Sequence, residues 1–564
     1  MRKFRKIQRS RRQSDAGSAW KGNDIMAKEL FINGEVITVN SQNEIAEAVA
    51  IEDGKVLAVG TAEDILKLQD GEAAVTDLEG RTLMPGIIES HIHTTMYGAN
   101  VLAVSCKDPG IRSIPDLLDK LKEQAASVPE GQWVRAWGFN ENAIGEGRFP
   151  TREELDGVTD KHPVMVVRAC GHISAVNSRG LAIGGITRNT PDPEGGTIGR
   201  DADGEPDGRL IENAHMNLYQ LAAHTRDEIR EAHRVASGHF AEKGITAVHD
   251  ATGYGIENIE ALREDAEEGV IAQRVYAMVG ALNNPDKVVR HYLEKDIRTG
   301  EGNDRFRYGP VKVFLDGSSS GPTVWTTEPY TSDPENYGIH YMTQEELDEL
   351  FVPAHEKGWQ ITAHAQGDAA IDQLLNTIDK ALRLHPREDA RHRIEHAGLA
   401  RKDQVQRMKE LGAVPTPNPA FFYEYGDGYV KNYGQRAQNM YPLASYREAG
   451  VPATLTADCP VTDFNPMRGI HSAITRKAPS GQVVGEAERI GLLDAIRCCT
   501  INAAYSGFSE ERTGSIEPGK LADLAILDRS ILTAEIDDIP EILVDRTIIG
   551  GETVFERSGE AVRS

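Results

Sequence analysis

The sequence is short of cysteine, of positive charge and of long apolar runs, and each shortage removes a class of protein. Its five cysteines, Cys106, Cys170, Cys459, Cys498 and Cys499, are odd in number and show no CxxC spacing. That pattern suits neither a disulfide framework nor a zinc ribbon, and a reducing cytoplasm is the compartment it fits. Against 87 acidic side chains stand 62 basic ones, a formal charge of −25. A surface of that sign repels nucleic acid and anionic membrane, so the expected partner is a small-molecule substrate, with a homo-oligomer left open. No stretch reaches the ~18 consecutive apolar residues that a transmembrane helix needs. The first 25 residues are basic and polar, without an apolar core, and Arg11-Arg12 is not followed by an apolar stretch. Neither a secretory nor a twin-arginine signal is read there. Residues 1–26 are expected to be a disordered basic extension, or sequence upstream of a start at Met26.

A chain of 564 residues exceeds one ordinary compact unit. From Glu29 it reads as short alternating strands, with Asn33-Gly34 and Asp53-Gly54 as hairpin signals. The pattern returns at Gly514 to Asp528 and Arg546 to Phe555, so residues 27–85 and 510–560 are expected to join into one β-sandwich. Between them, over residues 86–509, apolar strand, polar loop and amphipathic helix repeat, the signature of a parallel sheet closed into a (β/α)8 barrel. Strands are predicted at Val164–Val167, Thr246–His249, Val311–Leu315, Gln360–His364, Arg393–His396, Ala413–Pro417 and Ala453–Ala457, and one ends at His93. Helices are predicted at Thr225 to Gly244 and Met342 to Gly358, each closing on a glycine. The segments from about Tyr97 to Pro163 and from Gly184 to Gly208 exceed ordinary βα loops, and an insertion over about 97–210 is expected to shape the pocket.

The chemistry concentrates at strand ends. In MPGIIESHIHTT, His91 and His93 stand two apart on a strand, so both imidazoles face one side and can bind one metal. Alone, such a pair is weak evidence. Lys312 lies in the apolar run GPVKVFLDG, where an inward ammonium is costly without a partner. Carboxylation by carbon dioxide would turn it into a carbamate able to bridge two cations. His364 closes the strand in WQITAHAQGD, His396 closes RIEHAGL, and Asp458 follows PATLTA, each where barrel enzymes place catalytic groups.

That order, HxH and then Lys, His, His and Asp at successive strand ends, resembles the amidohydrolase superfamily from Glu29 to Phe555. The wording WGFN, GHISAVNS, GITAVHD, KVFLDGSSSG, TAHAQGDAAID, RIEHAG and TADCPVTDFNP resembles the YtcJ-like branch, amidohydrolase family 3, which includes N-substituted formamide deformylases. Where that family has Asp before HxH, this chain has Glu89. The resemblance implies an α/β fold with a TIM-like barrel and a metal-dependent hydrolase of C–N bonds, on an N-formyl, N-acyl or cyclic amide. It implies that His91 and His93 hold a buried ion, His364 and His396 a more exposed one, and carboxylated Lys312 bridges both. Asp458 then ligates the first ion and shuttles the proton. Two zinc ions are the default, since nitrogen and oxygen donors suit zinc, although iron, manganese or cobalt fit the same shell. His172, Asn177, Trp137, Phe139, Trp325 and His249, with Tyr330 and Phe422, are candidates for contact with substrate; each is also readable as packing. A mononuclear deaminase, a phosphoester hydrolase and a non-catalytic binding protein stand as alternatives.

Overall fold

The computed structural model describes residues 28–71, 73–168, 172–251 and 253–557. The basic extension expected at 1–26, and Cys170, lie outside the described residues. The chain divides into two compact units, one of residues up to Thr94 with those from Ala236 onward, the other Thr95–Val235.

The first unit is built around a seven-stranded sheet: β1 (Ile87–Ile92), β2 (Ile245–Asp250), β3 (Arg274–Val279), β4 (Phe306–Phe314), β5 (Ile361–Ala365), β6 (Arg393–His396) and β7 (Val414–Thr416). Each is paired in parallel with its neighbour in this order. Parallel strands covered on both faces need apolar side chains throughout. β2 accordingly reads ITAVHD with every residue buried. The helix Asp368–Leu384 shows how the outer layer attaches: Ile371, Leu374, Leu375, Ile378 and Ala381 recur at helical spacing and are all buried. The helix Gln344–Glu356 starts on a capping box between Thr343 and Glu346, and the chain leaves it through Gly358 at φ +89°. Gly244, predicted as the other helix stop, likewise has φ +75°.

Two strand expectations need correction. Val164–Val167 does form a strand, but in the sheet of the other unit. The barrel strand that was not predicted is β3, RVYAMV, which ends on Val279 and carries no ligand-type residue to single it out. Ala453–Ala457 forms no regular strand. It is instead sewn between the sheet edges by separate bonds: Thr454 N–H donates to the Pro415 carbonyl at 3.1 Å, and Asp458 N–H to the His91 carbonyl at 3.2 Å. The Ser90 and Thr454 hydroxyls meet at 2.7 Å. The sheet is therefore nearly closed, with an irregular segment in the eighth place.

Strands from both ends of the chain share one six-stranded sheet, in which Thr82–Pro85 pairs antiparallel with Leu524–Leu527. A four-stranded sheet contains Glu29–Ile32, Ala48–Glu52, Lys55–Gly60 and Ala74–Asp77. Phe31, Val49 and Ile51 of the smaller sheet share an apolar cluster with Leu83, Leu524, Ile526 and Ile548 of the larger. Asp53-Gly54 makes the predicted hairpin, with φ +49° and +75°. Asn33-Gly34 does not. Glu29–Ile32 and Glu35–Ile37 on its two sides belong to different sheets, so the left-handed Asn33 (φ +56°) passes the chain from one sheet to the other.

The second unit has a six-stranded sheet of its own, from Gly196–Arg200 through Pro206–Glu212, Ile173–Val176, Val164–Arg168 and Val134–Phe139 to Val104–Ser105. The segments read as long loops thus contain regular structure. Among the described residues no helix is long and apolar enough to cross a membrane.

Candidate metal centre

The strand ends of the first unit bring the predicted ligands together. The four imidazoles form a continuous chain of rings, with centroids 5.6 Å apart for His93 and His91, 4.7 Å for His91 and His396, and 4.4 Å for His396 and His364. Asp458 Oδ1 lies 3.4 Å from His91 Nε2 and 3.3 Å from His93 Nε2. Lys312, fully buried, places Nζ 3.2 Å from His91 Nε2 and donates to the Ala251 carbonyl at 3.0 Å. One donor atom each from His91, His396 and Asp458 lies within 4.8 Å of the others, the ligand spacing of a single ion.

The backbone is bent to achieve this. His396 has φ +71°, Ala397 +44° and Asp458 +57°, a region that non-glycine residues occupy at a cost. The turn at His396 ends β6. Side chains adjacent on a regular strand face opposite ways, yet His396 and Glu395 here both reach His91.

A buried residue stands behind each of three imidazoles. His91 Nδ1 meets Glu395 Oε2 at 2.5 Å, His364 Nδ1 meets Asp316 Oδ1 at 2.8 Å, and His396 Nδ1 meets Asn418 Oδ1 at 2.7 Å. With Nδ1 donating to these oxygens, Nε2 is left to ligate. Glu89, which stands where the family has Asp, accepts from Ala457 N–H at 3.1 Å and from the Thr456 hydroxyl. It pins the segment that carries Asp458.

Electrostatics favour ligation. Burial pushes the His91 imidazole down to about 4 and holds His396 well below its ordinary range, so both are neutral donors near pH 7. Burial would raise the Asp458 carboxyl, yet His91, His93 and His396 hold it below the carboxylate range. Burial likewise pushes the Lys312 amine down to about 8, against the pull of Glu395 and Asp458, and the Glu89 carboxyl up to about 7.

An ion fits this donor set on one further observation. Asp458 Oδ1 is buried without a hydrogen-bond partner among the described residues, while imidazole nitrogens lie beside it. A buried carboxylate oxygen among imidazole nitrogens suits a cation.

The family model described as the amidohydrolase family matches residues 74–555. The chain belongs to the amidohydrolase family. It is a hydrolase of carbon–nitrogen bonds. Over 546 residues it is 29% identical to the N-substituted formamide deformylase of Arthrobacter pascens, covering 94% of this chain and 98% of that protein. Over 541 residues it is 30% identical to Protein LONG AFTER FAR-RED 3 of Arabidopsis thaliana, covering 94% and 92%. A crystal structure of an uncharacterized metal-dependent hydrolase from Pyrococcus horikoshii OT3 superposes with a TM-score of 0.77 at 25% identity, covering 91% of this chain and 99% of that one.

The residues proposed to touch substrate divide by burial. In this amidohydrolase His249 is enclosed: Arg393 Nη1 lies 2.9 Å from its Nδ1 and its ring stands against Tyr276. Tyr330 is buried and donates to the Val324 carbonyl at 2.7 Å, and Phe422 is buried with the Arg476 guanidinium 4.2 Å over its ring. In the second unit Asn177 is spent on structure, accepting from Val164 N–H and Gly180 N–H and donating to the His162 carbonyl. Phe139 packs on Phe149 in a core cluster. These five are occupied in packing or support. Trp137 is half-buried, His172 is exposed with Nδ1 3.0 Å from Glu212, and half-buried Trp325 stacks on His340 at 4.0 Å. Glu395, Asp316, Asn418 and Arg393 were not singled out from the sequence. The available signal was charged or amide residues inside otherwise apolar strand ends.

Proposed function

We propose that this amidohydrolase cleaves an amide-type C–N bond of a small molecule (an N-formyl, N-acyl or cyclic amide) at a centre of two divalent ions, zinc first. His91, His93, His364, His396 and Asp458 would ligate them, with a carboxylated Lys312 as bridge. The observation that carries this reading is the unpartnered Asp458 Oδ1, buried among His91 and His93, with Lys312 Nζ beside the same His91 Nε2. Bound ions supply a Lewis acid for the carbonyl oxygen and lower the pKa of attacking water. The Asp458 carboxylate takes the proton from that water as it attacks the carbonyl carbon, then delivers it to the departing nitrogen. An amine leaves readily only once protonated. The formamide deformylase named above supports an N-formyl substrate, and the charge of −25 argues against nucleic acid and anionic membrane as partners.

Four cysteines among the described residues are free, which supports a reducing compartment such as the cytoplasm. The common apolar cluster supports reading the two terminal sheets as one β-sandwich.

A mononuclear centre is the second reading, favoured by the grouping, among the described residues, of His91, His396 and Asp458 within ligand spacing of one ion. Elemental analysis of protein purified without chelator and supplemented with zinc separates the two. Two ions per chain and turnover of N-formyl or N-acyl amides support the binuclear amidase. One ion per chain, with release of ammonia from an amino-substituted ring, supports a deaminase, and turnover of phosphotriesters alone would sink both.

A further inference from the structure

Behind His91 lies a buried group of charges that the proposed chemistry does not use. Glu395 is wholly enclosed in β6, and every group bonded to it apart from His91 is a fixed donor. Arg393 Nε reaches Oε1 at 2.8 Å and Arg393 Nη2 reaches Oε2 at 3.0 Å. The Thr362 hydroxyl donates to Oε1 at 2.8 Å and the Thr416 hydroxyl to Oε2 at 2.9 Å. Oε2 also meets His91 Nδ1 at 2.5 Å. Arg393, equally buried, also donates from Nη2 to the Ser90 carbonyl (2.7 Å) and from Nη1 to His249 Nδ1 (2.9 Å). A guanidinium has donors only, so its fork fixes the carboxylate plane, and His249 must accept.

We infer that Glu395, oriented by Arg393, is a positioning residue that holds His91 in the tautomer protonated on Nδ1 and so keeps Nε2 free as a ligand. The inference rests on the proposed role of His91 as a metal ligand. With the Arg393 fork on both oxygens, Oε2 has only acceptor capacity to offer His91, so Nδ1 must be the donor. The opposite tautomer would set the Nδ1 lone pair against Oε2 and turn an N–H on Nε2 towards Lys312 Nζ, 3.2 Å away, where a lone pair is needed. The same nitrogen faces Asp458 Oδ1. Thus a residue on β6 sets what the first strand offers to an ion, and His249, read from the sequence as a substrate contact, holds the far end of the fork.

Glu395→Gln tests this. Whichever way it is placed, the amide turns its NH2 group against one arm of the Arg393 fork, and in one of the two placements it donates to His91 Nδ1 and drives the proton to Nε2. The apo-protein is titrated with zinc in competition with a chromophoric chelator, with folding checked by circular dichroism. If the single variant does not fold, Arg393→Met/Glu395→Gln, which leaves no lone buried cation, takes its place. Thr362→Val removes one donor to Oε1, leaves the bond to His91 in place, and serves as the control for purely structural loss. The expected result is zinc affinity about 10–100-fold below wild type in the folded glutamine variant, with wild-type affinity in Thr362→Val despite a lower melting temperature. Wild-type zinc affinity in the folded glutamine variant overturns the inference. So does an equal loss of affinity in Thr362→Val, which would make the effect structural. Failure of the wild type itself to bind zinc overturns the ligand reading, and is distinguished by being independent of residue 395.

Discussion

His364 and Asp316 are joined Nδ1 to Oδ1 at 2.8 Å, and the other oxygen of the same carboxylate takes the backbone N–H of Gly367 at 2.6 Å and of Trp325 at 3.2 Å. One buried side chain therefore aims a proposed ligand, holds the start of the helix Asp368–Leu384 and ties down the segment that carries Trp325. An asparagine in its place has one acceptor oxygen and must turn its NH2 group towards either the imidazole or the backbone donors. Asp316→Asn is expected to bind zinc about 10–100-fold more weakly, and to be cut faster by protease within residues 317–341. Competition titration and limited proteolysis measure the two effects. Unchanged zinc affinity in the folded variant would detach Asp316 from the support of His364.

Gly367 makes a second prediction from the same junction. Its φ of −81° suits any residue, so the need for glycine is one of space: an added Cβ would sit 1.8 Å from the Trp325 carbonyl oxygen and 2.6 Å from its carbon. Backbone atoms cannot rotate aside, and Asp316 holds this piece of backbone in place. Gly367→Ala is expected to destabilise by about 1–3 kcal/mol, the usual range for overpacking. Gly469, inside the helix Pro466–Thr475 with nothing within 4 Å of its added Cβ, provides the contrast. Gly469→Ala is expected to stabilise by roughly 0.5–1 kcal/mol. Thermal denaturation of both reads the difference, and equal melting temperatures would show that the close approach at Gly367 relaxes freely.

Much of this was legible because the proposed ligands lie at or near strand ends, where an apolar run that stops on His or Asp is visible in one dimension. His91, His93, His364, His396 and Asp458 were read that way and Lys312 as a lysine inside an apolar run, and the structure gathers them. β3 was missed because Val279 ends it without such a mark, and Val164–Val167 was misassigned because strand character says nothing about which sheet a strand joins. The supports were not legible for a related reason. Glu395 is 304 positions from the His91 it holds, and pairing at that separation leaves no trace in spacing. Asn177 and Phe139 stand in wording that resembles the family's, yet one caps a helix and the other fills a core. A motif marks that a residue matters to the fold or to the site without saying which.

Lys312 is the residue whose removal is most diagnostic of the bridge. It is wholly buried, with Nζ between the Ala251 carbonyl and His91 Nε2, and no other side chain type forms a carbamate there. Lys312→Ala is expected to lose bound metal and amide hydrolysis together, and to regain part of both when short carboxylic acids are supplied to fill the space. Metal content by elemental analysis, with and without added acetate or propionate, is the measurement. A variant that keeps two ions per chain and full turnover would take the lysine out of the centre.

Asp458 carries the last prediction, and its surroundings sharpen it. Its Oδ1 is buried without a hydrogen-bond partner, 3.3 Å from His93 Nε2 and 3.4 Å from His91 Nε2, on a left-handed residue pinned through the neighbouring Ala457 N–H by Glu89. A carboxylate that served only as a ligand could be exchanged for an amide with modest loss, since the amide oxygen still donates a lone pair. One that must take a proton from water and return it to a leaving nitrogen cannot, because an amide does not titrate in this range. Positioned proton transfer typically contributes ~10²–10⁴ in rate. Asp458→Asn is therefore expected to keep its metal content while kcat falls by at least about a hundredfold, with KM little changed. The left-handed backbone favours the choice of variant, since asparagine tolerates φ +57° better than alanine would. Should the variant hold its metal and turn over near the wild-type rate, the proton must travel by another group. Enclosed His249, its Nδ1 already engaged by Arg393, is then a poor substitute.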